Sequence, residues 1–109
     1  MSQITTHILD TSLGKPAEGV QIILQTESGE TLGQGITNKD GRVADLLDEN
    51  NLLEPGVYAM LFKTKGYFDA QNLKSFYPEV KILFQTFDQS HYHVPLLLNP
   101  FGYSTYRGS

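Results

Sequence analysis

The sequence predicts an all-β sandwich folded as one domain over residues 1–109. Two observations carry this. Short runs with apolar residues at every second position recur along the chain, and Gly, Pro, Asn, Asp and Ser punctuate them at intervals of roughly 10 residues, the spacing of a sandwich. Only one stretch breaks the two-residue period in favour of a helix. A chain of 109 residues fits a single core, and no internal repeat, low-complexity run or linker divides it.

From Gln3 to Asp10 the pattern alternates, with Ile4, Thr6 and Ile8 on one side and Thr5, His7 and Leu9 on the other, which reads as a strand. Gly14, Pro16 and Gly19 make Asp10–Gly19 a loop. Val20–Thr26 is a second strand, Glu27-Ser28-Gly29-Glu30 a turn, and Thr31–Thr37 a third strand. Asn38-Lys39-Asp40-Gly41 turns the chain into a short fourth strand, Arg42–Leu46. Asp48–Gly56 is a connection with a helical turn. Val57–Thr64 is apolar on both faces and belongs in the middle of a sheet.

Lys65–Leu73 is the single helix, because Tyr67, Phe68, Ala70, Gln71 and Leu73 fit a helical face better than a strand. Glu79–Phe87 returns to period 2 with Val80, Ile82, Phe84 and Thr86 on one face, and Asp88-Gln89-Ser90 turns it. The last stretch is a hairpin. Tyr92, Val94, Leu96 and Leu98 form its core face, while His91, His93, Pro95 and Leu97 share the other. Pro100 and Gly102 mark the turn, and Tyr103–Arg107 has strand chemistry nearly to the chain end. A strand face that carries two histidines and then turns apolar suggests burial by another chain.

Twelve acidic against eight basic residues give a formal charge of −4, with no basic stripe for nucleic acid. Charged residues are only 18% of the chain, below the usual quarter or so, in keeping with an oligomer. There is no cysteine, which excludes disulfides and thiolate chemistry. No window approaches a membrane span. The N-terminal residues lack a charged and apolar leader pattern, so the chain is read as cytoplasmic, or periplasmic if a signal peptide has been removed.

The candidate reactive groups are few. His7, His91 and His93 are the only histidines, and imidazole is the side chain that works as base and acid near neutrality. His93 shares its face with Pro95 and Leu97, company that desolvates it and favours the neutral ring. His91 lies nearer the turn and reads as solvated or as a support. The His-x-His spacing with His7 could offer three nitrogens to zinc, yet no carboxylate is placed beside them, so no metal is assigned and no cofactor is expected. Arg42 follows a sharp turn and offers a planar fork to an anionic, oxygen-rich ligand. No phosphate-binding glycine loop, nucleophile elbow or His-Glu-x-x-His motif occurs.

Four segments resemble the 5-hydroxyisourate hydrolases, the transthyretin-like enzymes of urate breakdown. They are Ile4–Asp10 with Gly14-Lys15-Pro16-Ala17, Thr37-Asn38-Lys39-Asp40-Gly41-Arg42, Lys74–Val80, and Tyr92–Pro100 with Tyr103–Ser109. The ending Tyr106-Arg107-Gly108-Ser109 is the most specific, since transthyretin itself, the hormone carrier, lacks it. Asn99 stands where the family more often has Ser. The resemblance implies a transthyretin-type sandwich of two four-stranded sheets with one short helix, assembled as a homotetramer with its sites at the dimer–dimer interface. It implies hydrolysis of 5-hydroxyisourate to 2-oxo-4-hydroxy-4-carboxy-5-ureidoimidazoline without a cofactor. His7, His93 and Arg42 would be catalytic, with His7, Arg42, Tyr106 and Ser109 binding substrate and Arg107 completing the tail. His7 would take the proton of the attacking water and His93 hold or protonate the substrate, or the two histidines exchange these roles. The rival is a transthyretin-like carrier that binds a small aromatic ligand without chemistry; a plainer one is a monomeric adhesion or carbohydrate-binding sandwich.

Overall fold

The computed structural model describes residues 2–109. Ten strands and one helix follow in the order β1 (Ile4–Thr5), β2 (Ile8–Asp10), β3 (Lys15–Pro16), β4 (Gln21–Thr26), β5 (Thr31–Ile36), β6 (Gly56–Lys63), α1 (Thr64–Asp69), β7 (Val80–Thr86), β8 (Tyr92–His93), β9 (Leu96–Asn99) and β10 (Gly102–Thr105). They form two four-stranded sheets, β10-β9-β2-β3 and β5-β4-β6-β7, and β1 pairs with β8 beyond the first. The alternating faces pack inwards as expected: Ile4, Thr6 and Ile8 are buried, and so are Tyr92, Val94, Leu96 and Leu98. Across from them Ile22, Leu24, Met60, Phe62, Val80 and Ile82 supply the other half of one continuous core. The doubly apolar β6 is central, between β4 and β7.

Four local expectations are corrected. The stretch Gln3–Asp10 is two strands, since the Thr6 hydroxyl donates to the Val94 carbonyl at 2.6 Å and the Ile8 N–H turns to the Gly41 carbonyl at 2.9 Å. Within the expected loop, Lys15–Pro16 forms the edge strand β3 against Leu9 and Asp10, where proline's missing donor is harmless. Arg42–Leu46 is not a strand: Arg42 alone makes a bridge, with His7. The Asn38 side-chain oxygen accepts from the N–H groups of Asp40 (2.9 Å) and Arg42 (3.2 Å), which spends the turn's donors locally. The connection after it contains a turn closed by the Asn51 N–H on the Asp48 carbonyl (2.9 Å) and no helical turn.

The helix is also shorter than its pattern. It ends because Asn72 adopts φ 58° and the N–H of Leu73 closes on the Phe68 carbonyl at 3.1 Å, a left-handed C-terminal cap. Beneath it the buried Asp10 carboxylate accepts from Ser12 N–H, Ser12 hydroxyl, Leu13 N–H and the Tyr67 hydroxyl (2.6 Å), tying helix to sheet. Those donors bring the Asp10 pKa below its ordinary value although burial, the largest single influence, pushes it up. Burial, and then the same bond, push Tyr67 up to about 12.

Candidate active site

His7 occupies the gap between β1 and β2, where it bridges Arg42 in antiparallel register. Gly41 makes this approach feasible. Its φ is +75°, and a Cβ there would stand 2.5 Å from the Ile8 carbonyl oxygen. In this way the Asn38–Gly41 turn delivers Arg42 beside His7, as the sequence suggests.

His93 reaches the same region from β8, where it pairs with Thr5. Its ring is held on two sides. The Thr5 hydroxyl oxygen lies 2.8 Å from Nδ1, and the backbone of Gly108 lies against Cδ2 so closely that a Cβ would sit 2.4 Å away. The tail does not fray. The Gly108 N–H donates to the His93 carbonyl at 2.9 Å, and the Thr105 hydroxyl donates to the Pro95 carbonyl at 2.7 Å. The Arg107 guanidinium rests 4.5 Å from the centre of the Tyr92 ring, a cation–π contact. Arg107 thus fastens the tail, a role its charge alone does not reveal.

The outcome is an open cleft of about 580 Å³ lined by His7, Arg42, His93, Tyr106 and Ser109, together with Thr5 and His91. All five sequence-selected residues meet there, from segments far apart along the chain. Thr5 and His91 add to them. Thr5 carries no reactive signature, but its period-2 neighbours His7 and, across the ladder, His93 could have drawn attention to it.

Electrostatics favours neutral imidazoles. Burial, and then the nearby Arg42 cation, lower the pKa of His7, opposed in part by the backbone and carboxylate of Asp40. Burial, then Arg42, His91 and His7, lower that of His93. The cleft therefore offers two neutral nitrogen bases beside a guanidinium, the equipment for moving protons around a substrate that develops negative charge. Among the described residues no group of three or more His, Cys, Asp or Glu is arranged to hold a metal ion. The suggested three-imidazole zinc site is not assembled.

A sandwich of two four-stranded sheets, with one short helix and a polar cleft beside the first strand, is the transthyretin type of fold. The HIUase/Transthyretin family model matches residues 4–108, and the chain belongs to that family. It is 46% identical over 112 residues to a probable 5-hydroxyisourate hydrolase of Caenorhabditis elegans, spanning 99% of this chain and 82% of that relative. The structure of 5-hydroxyisourate hydrolase from Klebsiella pneumoniae aligns with a TM-score of 0.87 at 40% identity, covering 97% of this chain and 92% of that one. Sea bream transthyretin in complex with thyroxine aligns at 0.88 but with 29% identity, covering 97% and 94%. The backbone thus fits hydrolase and carrier equally. The side chains decide between them.

Proposed function

We propose that this chain hydrolyses 5-hydroxyisourate to 2-oxo-4-hydroxy-4-carboxy-5-ureidoimidazoline, with His7, Arg42 and His93 as catalytic groups and Tyr106 and Ser109 holding the substrate. The observation that carries the reading is the meeting of two neutral imidazoles and a guanidinium in one cleft closed at its edge by the tail. A carrier needs none of these groups. Its similarity to named hydrolases at 40% identity and above, against 29% for the thyroxine-bound transthyretin, supports the same choice.

In this mechanism His7 takes a proton from water as its oxygen bonds to a ring carbonyl carbon. Arg42 stabilises the negative charge gathering on the carbonyl oxygen, an interaction worth about 3 kcal/mol for one well-placed donor. The carbon–nitrogen bond then breaks with the nitrogen as leaving group, the carbon is left as a carboxyl group that ionises to carboxylate, and His93 delivers a proton to the departing nitrogen. Over the whole turnover one proton of the water ends on the nitrogen and the other leaves to solvent as the carboxylate forms. The match over residues 4–108 supports a single hydrolase domain across 1–109.

The functional unit in this proposal is a homotetramer with substrate at an interface. Leu83 on β7 and Phe87 just beyond its end, exposed at 60% and 71%, give that edge an apolar surface suited to a second copy. The test is purified protein given freshly generated 5-hydroxyisourate, with decay followed against the uncatalysed rate. His93→Ala or Arg42→Ala decaying substrate as fast as wild type overturns the mechanism. A solution mass of one 12.2 kDa chain overturns the tetramer.

A further inference from the structure

Behind His93 lies a chain of hydrogen-bonding groups that the hydrolysis as described does not use. The Thr5 hydroxyl oxygen sits 2.8 Å from Nδ1 of His93 and 2.8 Å from Nε2 of His91. The two rings lie nearly parallel, with centroids 6.4 Å apart and an angle of 24° between planes. Thr5 and His93 are partly buried and His91 is exposed. A hydroxyl has one proton to give and lone pairs to accept, so it can donate to one imidazole while accepting from the other. A continuous path therefore runs from the cleft to solvent through three residues.

We propose that Thr5 and His91 form a proton relay that recharges His93 from solvent during turnover, Thr5 as the conducting hydroxyl and His91 as the surface terminus. This rests on His93 acting as the acid of the hydrolysis. Before the step, His91 Nε2–H donates to Thr5, the Thr5 hydroxyl donates to His93 Nδ1, and His93 carries its proton on Nε2. As the scissile carbon–nitrogen bond breaks, the Nε2 proton passes to the departing nitrogen. The Thr5 proton moves to Nδ1, the His91 Nε2 proton moves to Thr5, and His91 Nδ1 takes one proton from water. One proton has entered from solvent and one has left to product, and both imidazoles end neutral in the opposite tautomer. The reset runs the chain outwards: His93 Nε2 takes a proton from the cleft, and His91 Nδ1 returns one to water.

The arrangement answers a difficulty of the site. The charged and titratable groups near the His93 ring are Arg42, His91 and His7, and Tyr106 and Ser109 of the tail line the same cleft. Burial, and then Arg42, make a standing imidazolium at His93 costly. A neutral ring that loses one proton while gaining another on its far nitrogen never passes through that cation. Gly108 against Cδ2 and the hydroxyl at Nδ1 hold the ring in the orientation this exchange needs.

The test uses full-length wild type, Thr5→Val, Thr5→Ser and His91→Gln with 5-hydroxyisourate, with and without added imidazole as an external proton donor. Thr5→Val keeps shape and removes the hydroxyl. It is expected to lower kcat about ten-fold with KM changed no more than about two-fold, since proton transfer contributes on the order of 100-fold or more. Thr5→Ser is expected to recover most of that loss. His91→Gln is expected to fall similarly and to be restored by imidazole, whereas Thr5→Val is not. Equal loss in Thr5→Val and Thr5→Ser, or a His91→Gln enzyme as fast as wild type without imidazole, overturns the relay. ¹⁵N NMR of the rings separates this from the activity itself. Titrating His91 is expected to shift the His93 tautomer in wild type and not in Thr5→Val, even if 5-hydroxyisourate proves not to be the substrate. A His93 tautomer indifferent to His91 in wild type overturns the relay whatever the substrate.

Discussion

Gly108→Ala is the sharpest probe of how the tail serves the site. The added Cβ would lie 2.4 Å from His93 Cδ2, 3.2 Å from Cγ and 3.4 Å from the His93 Cβ. Carbon atoms rest about 3.5–4.0 Å apart, so ring or tail must give by about 1 Å. Neither is free to do so cheaply. The ring is held at Nδ1 by Thr5, and the tail by the 2.9 Å bond from the Gly108 N–H to the His93 carbonyl. Overpacking of this kind costs about 1–3 kcal/mol of stability, which the fold can survive. A shift of that size at a reacting nitrogen lowers kcat/KM on the order of 100-fold, or about 2.7 kcal/mol in the barrier. The assay is substrate decay alongside a thermal melt. Gly102→Ala is the control, since its Cβ would meet only the Asn99 side chain at 3.7 and 3.8 Å, and it should change the barrier by no more than about 0.5 kcal/mol. A Gly108→Ala enzyme within about three-fold of wild type would refute the claim that this close approach positions the imidazole.

Arg42→Gln should lower kcat by about 100- to 1,000-fold. It should also shift the acid limb of kcat/KM upward. Burial lowers the pKa of both histidines first and Arg42 lowers them further, so the wild-type limb lies below the ordinary histidine value and rises when the cation is removed. An unmoved limb would show that Arg42 does not face them. Arg107→Ala should reduce kcat/KM only about two- to five-fold, the worth of an exposed cation–π contact, with KM carrying the change. A hundred-fold loss would mean that this guanidinium touches substrate. Tyr67→Phe should leave catalysis intact and destabilise the chain by about 1.5–3 kcal/mol, because the buried Asp10 carboxylate loses a donor. Denaturant unfolding with an unchanged midpoint would refute that account.

Strand faces were legible because burial on one side enforces period 2, as at Ile4, Thr6 and Ile8 or Tyr92, Val94, Leu96 and Leu98. The central position of β6 was legible from its two apolar faces. What eluded the pattern was set by local side-chain hydrogen bonds and backbone conformations that compete with regular structure. Asn38 captures the N–H of Arg42 and leaves an isolated bridge where a strand is expected, and the αL conformation of Asn72 ends the helix early. Lys15–Pro16 pairs through two residues only, too few to show a period. The residues that gather in the cleft were themselves legible. Three histidines and one arginine after a turn are few enough to select by chemistry, and the tail motif carries the family resemblance. The contacts that orient them were not, since Thr5 and Gly108 have no chemical signature and matter only through what they touch.

The ladder itself explains why the site lies where it does. Ile4 pairs with Tyr92 and Ile8 with Leu96, the same register on both sides of the gap at Thr6–His7. The interruption is therefore local, not a slip. Two side-chain choices create it. Thr6 gives its hydroxyl to the Val94 carbonyl, and Pro95 has no N–H to offer. His7 keeps one anchor to the ladder, its carbonyl accepting from the Leu96 N–H at 2.9 Å, while its neighbour Ile8 turns to the Gly41 carbonyl. A continuous strand would have put β9 and the Asn38–Gly41 turn in competition for the same backbone. The gap lets His7 serve both, so the rigid ladder aims one imidazole, and the turn brings a guanidinium to its side. The core face stays apolar throughout, with Ile4, Ile8 and Leu96 fully buried. Reactive groups confined to the opposite face leave the packing of the sandwich untouched. A hydrolase and a carrier can then share one backbone and differ in a handful of outward-facing residues.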